Sequence, residues 1–235
     1  GGHLHEPMTL LAWVSAFTSR IELCPSVIVL PARQTVLFAK QLAELDILSN
    51  GRARLGIGVG SNKDQYAALG QDFHSRGARC DEQLPLLKSL LTQDKVDFTG
   101  RWDTVEESGI NPLPVQSHIP IWYGGASIPG AKVINRIANY ADGWFVLCNP
   151  EDYDDIRSKI DNAAEAASRD PKAIQTEAGV AVVGPRESEW QSRITNWKEM
   201  GIDYICLRTL GGDLTPQQHL DKLKEVVPEA LELTT

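Results

Sequence analysis

Hydrophobic positions along the chain fall into short apolar runs separated by longer amphipathic stretches. Several of the runs are continuously apolar, which is typical of parallel strands covered on both faces. The runs predict six strands, at Ile21–Leu30, Leu55–Gly60, Pro120–Gly124, Gly143–Leu147, Thr176–Gly184 and Asp203–Arg208. The stretches between and around them predict helices at Pro7–Thr18, Gln34–Leu48, Gly77–Leu91, Gly130–Tyr140, Asp152–Ser168, Glu187–Met200 and Pro216–Leu231.

One helix followed by six strand–helix units predicts an α/β fold with a parallel sheet. Two architectures accept this order: a doubly wound open sheet, complete with six strands, and a (β/α)8 barrel of the TIM type, which needs eight. The long interval after the second strand predicts loops at Ser61–Ser75 and Lys95–His118 around the helix Gly77–Leu91. Because no linker or repeat divides the sequence, we expect a single domain over residues 1–235.

The charge balance narrows the classes of partner. Acidic residues outnumber basic ones by 31 to 23, for a net charge of −8, and no basic cluster interrupts them. A nucleic acid or an anionic membrane surface is therefore not expected. No apolar run is long enough to span a bilayer and no signal peptide opens the chain, so we expect a cytoplasmic protein.

The four cysteines predict no metal site or disulfide framework. Cys24, Cys80, Cys148 and Cys206 lie far apart in the sequence and show no CxxC pairing. Buried thiols in a reducing compartment fit this spacing better than a zinc site or disulfide bonds.

The stretch LGIGVG, Leu55–Gly60, carries glycine at every second position. A dinucleotide-binding loop would need the spacing GxGxxG at a strand-to-helix turn, and a P-loop would need Gly-Lys-Ser/Thr, so the stretch fits neither. Alternating glycines clear one face of a strand, and something bulky can then lie against it. The residues alone leave two occupants open: core side chains or a flat cofactor ring.

The wider stretch favours the cofactor. Leu45–Arg52, LDILSNGR, followed by LGIGVG, resembles a motif of the luciferase-like monooxygenase family, which uses FMN or the deazaflavin coenzyme F-420 (F420). IELCPSVIVLP at Ile21–Pro31 is similar to the family's third barrel strand, IPIWYGG at Ile119–Gly125 to the fifth, and ADGWF at Ala141–Phe145 to the sixth. The resemblance implies the (β/α)8 barrel, with LGIGVG as strand four ending at the cofactor.

The sequence departs from the family at its start. The family's first strand, first helix and second strand have no counterpart, so the resemblance implies a TIM-type barrel that lacks its first two strands. The third and eighth strands would then be exposed edges, which a partner subunit would cover most simply, and we expect a homodimer. His3 and His5 lie near the place where relatives often carry an active-site histidine, but at a chain terminus. Pro25 removes a ladder donor from strand three, predicts a bulge or an edge, and leaves Ser26 as the polar candidate there.

Candidate site residues lie at predicted strand ends. A turn just before the Gly130 helix has the glycines and hydroxyl that a phosphate needs near a helix start, namely Gly124, Gly125, Ala126 and Ser127. At the end of strand four, contacts with the cofactor ring or ribityl chain are expected from Gly60, Ser61 and Asn62.

Other polar residues are assigned structural or secondary roles. We interpret Asp46, Arg52 and Arg54 as structural, and we interpret the group Arg76, Arg79, Asp81 and Glu82 as a solvated charge cluster at a helix start. His74 and Arg208 are secondary candidates, the first for proton transfer and the second for phosphate binding at the end of the last strand.

These observations predict an oxidoreductase or monooxygenase that uses FMN or F420 and acts on a small organic substrate by hydride transfer or oxygen insertion. The segment RGARCDEQL, Arg76–Leu84, resembles the deazaflavin-dependent branch. No residue stands out as a catalytic acid or base, as expected where the cofactor carries the redox step. Two alternatives stay open: a truncated, non-catalytic flavin-binding relative, and a doubly wound nucleotide-binding protein.

Overall fold

The apolar runs of the sequence form parallel strands in two compact units. The computed structural model describes residues 5–234. The first unit extends to Gly125 and includes Asn139–Asp142; the second comprises Ala126–Ala138 and the chain from Gly143 onward.

Strand β2 lies at the centre of the first unit's parallel sheet. The chain passes through helix α1 (Pro7–Ser15), strand β1 (Ile28–Val29), helix α2 (Thr35–Ser49) and strand β2 (Leu55–Gly58). β1 pairs with β2 on one side, and strand β5 (Ile121–Tyr123) pairs with it on the other. All four residues of β2 are buried, as its continuous apolar character predicts.

The segment between β2 and β5 contains more regular structure than expected. It forms helices α3 (Lys63–Ala68) and α4 (Arg76–Thr92) and an antiparallel hairpin of strands β3 (Val96–Thr99) and β4 (Thr104–Ser108). The predictions of loops at Ser61–Ser75 and Lys95–His118 are therefore wrong in part. A six-residue helix and two short strands are too brief for hydrophobic periodicity to reveal them.

Proline shortens the first strand. Ile21–Leu30 is predicted as one strand, but only a bridge between Leu23 and Ala53 and the two residues of β1 pair with a neighbour. Pro25 lies between them, is buried, and has no N–H to donate to the ladder. The predicted irregularity at Pro25 is confirmed. The peptide bond between Ser26 and Val27 is cis.

The second unit repeats the strand–helix alternation. Helix α5 (Ala131–Tyr140) leads to strand β6 (Gly143–Val146), helix α6 (Pro150–Ala166), strand β7 (Gln175–Ala181), helix α7 (Trp190–Glu199), strand β8 (Tyr204–Arg208) and helix α8 (Pro216–Thr234). β7 pairs in parallel with both β6 and β8. In the core of this second unit, the ring of Trp144 stacks on that of Tyr153 with centroids 5.9 Å apart. The ring of Tyr153 in turn meets that of Trp197 edge-on, with centroids 5.8 Å apart.

Two further expectations can be compared with the structure. Cys80 and Cys148 are buried as predicted, but Cys24 is half-buried and Cys206 is exposed, because it lies on β8 where side chains alternate in exposure. Across residues 5–234, none of the helices combines the length and the apolar character that crossing a membrane requires.

Candidate functional site

The glycines of LGIGVG are explained by close packing of neighbouring strands. A Cβ on Gly58 would lie 2.9 Å from the carbonyl oxygen of Gly124 and 3.1 Å from Val27. Gly60 has φ of +64°, and a Cβ there would lie 2.8 Å from Cγ1 of Val29. Core packing, one of the two occupants left open by the sequence, therefore accounts for these two glycines. Contact of Gly60 with a cofactor stays a prediction.

The chain beyond β2 is held in place by local hydrogen bonds. The side-chain oxygen of Asn62 caps α3, because it accepts from the backbone N–H groups of Asp64 at 2.9 Å and Gln65 at 3.2 Å. The Tyr66 hydroxyl donates to the carbonyl oxygen of Val59 at 2.7 Å. Together these contacts fix the chain that follows the carboxyl end of β2.

Three cations surround this strand end. The guanidinium of Arg76 stacks on the ring of Phe73 at 3.8 Å, and Nζ of Lys63 lies 5.5 Å from the same ring. Phe73 also meets Tyr66 edge-on, at 5.5 Å. Burial raises the pKa of Tyr66 to about 12, while the nearby charges of Arg76 and Arg79 act to lower it. Both arginines therefore act electrostatically on the Tyr66 hydroxyl, which is bound to the carbonyl oxygen of the residue after β2.

None of these three cations forms a salt bridge within the described residues. Within residues 5–234, Lys63, Arg76 and Arg79 form no ion pair, and the Nε atoms of both arginines are buried without a hydrogen-bond partner. Arg79 is only 7% exposed, and its Nη2 donates to the carbonyl oxygen of Arg33 at 3.3 Å. A buried N–H group without an acceptor is costly, so the Nε atoms of these two arginines are candidates to bind an anionic group.

The prediction of a solvated charge cluster at this helix start is therefore wrong for Arg79, which is buried. Glu82 also has a fixed role, because its carboxylate accepts from the backbone N–H groups of Arg101, Trp102 and Asp103 at 2.7–3.1 Å. Burial raises the pKa of Glu82, but these three donors and the charge of Arg79 together lower it. The sequence gives the charges of these side chains but not their burial.

The other candidate residues are exposed, except Gly124, which is buried. Ser26, just before β1, and Ser61, just after β2, are both exposed. Gly124 continues the ladder by donating from its N–H to the carbonyl oxygen of Ile57 at 2.8 Å, and Gly125 follows it on the surface. The exposed residues Ala126 and Ser127 belong to the second unit. The cofactor contacts assigned to all of these residues stay predictions.

The secondary candidates gain little support. His74 is exposed and meets the ring of Phe73 edge-on at 5.7 Å. His5 is exposed, and His3 lies outside the described residues. Arg208 is exposed at the end of β8, and its side chain packs on Gly179, where an added Cβ would lie 2.7 Å from Cδ of Arg208.

At the opposite end of β2, the polar residues of the motif are structural, as we interpret them from the sequence. Asp46 is fully buried and accepts from the backbone N–H and the side-chain amide of Gln116, at 2.9 and 2.6 Å. The guanidinium of Arg52 donates to carbonyl oxygens of Ser15, Thr18 and Ile21, at 2.6–3.2 Å. Arg54 stacks on Trp122 at 4.5 Å.

The parallel strands and the helices between them define the class, an α/β protein of the barrel type. The comparison with protein families makes the class specific. The chain belongs to the luciferase-like monooxygenase family, whose family model matches residues 1–224.

Characterised relatives in this family depend on two different cofactors. An F420-dependent glucose-6-phosphate dehydrogenase of Gordonia bronchialis is 29% identical over 74% of this chain and 53% of its own length. An FMNH2-dependent dimethylsulfone monooxygenase of Pseudomonas putida is 25% identical over 80% of this chain and 51% of its own. An uncharacterised protein of Mycobacterium tuberculosis is 30% identical over 85% of this chain and 68% of its own. The chain thus spans between half and slightly over two thirds of these relatives.

Solved structures confirm the fold class. The monooxygenase RslO1 of Streptomyces bottropensis matches all of this chain and 87% of its own, with a TM-score of 0.79 at 19% identity. An F420-dependent secondary alcohol dehydrogenase, solved with an F420–acetone adduct, matches 96% of this chain and 84% of its own, with a TM-score of 0.79 at 17% identity. The fold is of the luciferase-like TIM-barrel type, and the doubly wound alternative is wrong.

Proposed function

We propose that this protein is an oxidoreductase that binds F420 or FMN at the carboxyl end of β2 and acts on a small organic substrate by hydride transfer or oxygen insertion. Family membership supports a redox activity that depends on one of these cofactors. The cytoplasmic location and the single-domain organisation stay predictions.

The observation that carries the proposal is the unpaired cluster of Lys63, Arg76 and Arg79 beside the end of β2. Both cofactors carry a phosphate attached to the ribityl chain, and a phosphate would supply the missing negative charge. What distinguishes Arg76 and Arg79 from exposed cations is that each has a buried Nε atom without a hydrogen-bond partner. The residues present therefore fit the anionic part of either cofactor.

The chain's own residues would bind and orient the cofactor. Lys63, Arg76 and Arg79 would neutralise its phosphate, while the exposed hydroxyls of Ser26 and Ser61 would contact its ring or ribityl chain. Tyr66, fixed to Val59, would hold the strand end rigid beneath it. When bound, F420 carries hydride, and reduced FMN can in addition activate dioxygen.

Within this pair of cofactors we favour F420. The segment RGARCDEQL, which resembles the deazaflavin-dependent branch, forms the first two turns of α4 and supplies both unpaired arginines.

Fluorescence titrations of the chain with F420 and with FMN, side by side, test the proposal. We expect saturable binding of F420 at a lower concentration than FMN. Riboflavin, which lacks the phosphate of FMN, serves as the matched ligand and should bind at least about tenfold more weakly, the loss of one charge-assisted contact.

Each outcome has a distinct meaning. Binding of neither cofactor would contradict the proposal for this chain. Binding without turnover of any alcohol, aldehyde or sulfone substrate would support the alternative, a non-catalytic flavin-binding relative. Equal affinity for FMN and riboflavin would show that the cations do not serve the phosphate.

A further inference from the structure

A cleft of about 370 Å³ lies between strand β8 and helices α7 and α8. Small-molecule sites typically have volumes of about 300–1,000 Å³, so the cleft is of the right size for a small ligand. All of its lining residues belong to the second unit, and seven of the eleven are aliphatic. An engineered cavity of about 150 Å³ holds benzene, so this cleft has room for a molecule of roughly twice that size.

The interior of the cleft is apolar. Ile205 and Leu207 of β8 are two residues apart, so their side chains lie on the same face of the strand, and both are half-buried. Ile194 of α7 and Ala230 of α8 are buried and line the same cleft. Leu231 of α8 also lines it and is 60% exposed. The described part of the chain therefore covers these apolar groups only in part.

Polar side chains lie at one end of the cleft. Because β7 and β8 are parallel, α7 must run back between them, and its last turn lies beside the amino end of β8. Lys198 lines the cleft from the last turn of α7, Asp203 from the position just before β8, and Thr234 from the end of α8. The cleft therefore combines an apolar interior with a polar end.

The polar groups at this end are complementary to an uncharged hydroxyl. Oδ2 of Asp203 accepts from the backbone N–H and the hydroxyl of Thr176, at 2.7 and 2.9 Å, so this carboxylate is stabilised within the chain. The Thr234 hydroxyl donates back to carbonyl oxygens of its own helix at 3.1 Å, which leaves it as an acceptor for a ligand. Lys198 is a donor, and within residues 5–234 it forms no ion pair with Asp203.

The charges of Lys198 and Asp203 balance each other at this end of the cleft. A charged head group would be attracted by one of them and repelled by the other, and it would also lose its own hydration. A hydroxyl both donates and accepts, so it can bind between an ammonium and a carboxylate without adding charge.

We propose that this cleft binds an uncharged, mainly apolar small molecule with one hydroxyl group, of the class of a medium-chain alcohol. The alkyl chain would lie against Ile205, Leu207 and Ala230, and the hydroxyl would lie at the end formed by Lys198 and Asp203. None of the lining residues belongs to the proposed cofactor site, so this inference does not rest on the proposed function. The homodimer predicted from the sequence stays a prediction and plays no part in it.

Displacement of a fluorescent dye tests the proposal. N-phenylnaphthylamine, which is uncharged and apolar, should bind the wild-type chain saturably, and decanol should displace it. Octanol, shorter by two methylene groups, should bind about 15-fold more weakly, because each buried methylene contributes about fourfold. Decanoate and decylammonium carry the same chain length with a charged head, and each should bind at least about tenfold more weakly than decanol.

Three results of this titration would overturn the proposal. The first is a wild-type chain that binds neither the dye nor decanol. The second is equal affinity for octanol and decanol, which would mean that the alkyl chain is not buried. The third is tighter binding of decanoate or decylammonium than of decanol, which would contradict an uncharged ligand.

Two lysine substitutions on α8 test whether the dye binds in this cleft. Leu231→Lys places a charge in the cleft and should weaken dye binding at least about tenfold. Leu220→Lys is the matched control, since Leu220 is 54% exposed on the same helix but does not line the cleft, and its affinity should stay within about twofold. Both side chains are more than half exposed, so the circular dichroism signal should not change. Equal effects of the two substitutions would contradict this location.

A third variant gives a gain of binding, which loss of folding cannot imitate. Lys198→Met leaves the charge of Asp203 unbalanced and should raise the affinity for decylammonium relative to decanol by at least about fivefold. An unchanged ratio would overturn the placement of the head group. Displacement of the dye by saturating FMN or F420 would also overturn the proposal, because it would place the dye in the cofactor site.

Discussion

The two ends of β2 differ in how their polar groups are satisfied. At the amino end, Asp46 and Arg52 are surrounded by backbone and side-chain partners of their own chain. At the carboxyl end, Arg76 and Arg79 have buried nitrogen atoms without partners. The polar groups at the amino end are thus satisfied within the chain, whereas each of these two arginines keeps a buried Nε atom without a partner.

This contrast separates the charged residues that are satisfied within the fold from those that the proposed function assigns to a ligand. Barrel proteins place stability at the amino ends of their strands and chemistry at the carboxyl ends. Substitutions at the amino end should therefore lower stability, and substitutions at the carboxyl end should lower ligand affinity.

The largest effect on stability is expected from Asp46→Ala. The change removes a fully buried acceptor, takes the acceptor from the backbone N–H of Gln116, and leaves the side-chain amide of Gln116 with only the carbonyl oxygen of Ala53. We expect the free energy of unfolding, measured by urea titration, to fall by about 3 kcal/mol. Asp46→Asn keeps one acceptor oxygen and should lose less. A loss below about 1 kcal/mol for the alanine variant would contradict a structural role.

Gly60→Ala should have the next largest effect, because it adds both backbone strain and a clash. Positive φ alone costs about 1–3 kcal/mol in a residue other than glycine, and the new Cβ would lie 2.8 Å from Val29. Gly70→Ala provides a matched control, since Gly70 has φ of +66° and open space around it. The difference between the two in thermal denaturation measures the clash. Equal losses of stability in the two variants would mean that Val29 of β1 can shift to accommodate the new Cβ without a cost.

Arg76→Gln should have the opposite pattern to the substitutions above, with a small change in stability and a large change in ligand affinity. We expect binding of FMN to weaken about tenfold in fluorescence titrations while binding of riboflavin stays within about twofold, because only FMN carries the phosphate. Arg101→Gln is the control: Arg101 also stacks on an aromatic ring, that of Trp102 at 4.7 Å, but lies on the hairpin. Equal weakening of both ligands by Arg76→Gln would assign this arginine to loop structure alone.

The smallest effect at neutral pH concerns Tyr66. Burial raises its pKa to about 12 from an ordinary value of 10, so the folded state favours the neutral phenol. The resulting stabilisation is fully present below pH 10 and is lost as the pH rises from 10 to 12. Absorbance titration should show a tyrosine with a midpoint near 12 that is missing in Tyr66→Phe. A late midpoint that persists in this variant would belong to Tyr153, whose pKa burial also raises.

The sequence predicts the large elements well because long apolar periodicities reflect core positions directly. Predicted helix α4, Gly77–Leu91, extends by one residue at each end to Arg76–Thr92. Its identity is clear because five leucines on the buried side recur at helical spacing. The hairpin of β3 and β4 is missed since only Val96 and Val105 mark its buried side in a polar segment.

The candidate site is less predictable because burial of a charge depends on tertiary packing. The sequence predicts that Arg76 and Arg79 are solvated at a helix start. Their positions in the sequence do not show that the rings of Phe73 and Tyr66 pack beside them. Glycine spacing was ambiguous for a similar reason. Whether a glycine admits a ligand or a neighbouring strand is decided by side chains such as Val29, about thirty residues away in sequence.

The contact between Glu82 and the hairpin turn has a consequence for how this protein can diversify. Glu82 binds the backbone N–H groups of Arg101 and Trp102 rather than their side chains, so the turn keeps its geometry whatever residues occupy those two positions. Asp103 is constrained, because its carboxylate also accepts from the Thr35 hydroxyl. Gly100 is constrained too, because a Cβ there would clash with the Glu82 carboxylate, so only positions 101 and 102 of the hairpin tip can vary at little cost in folding.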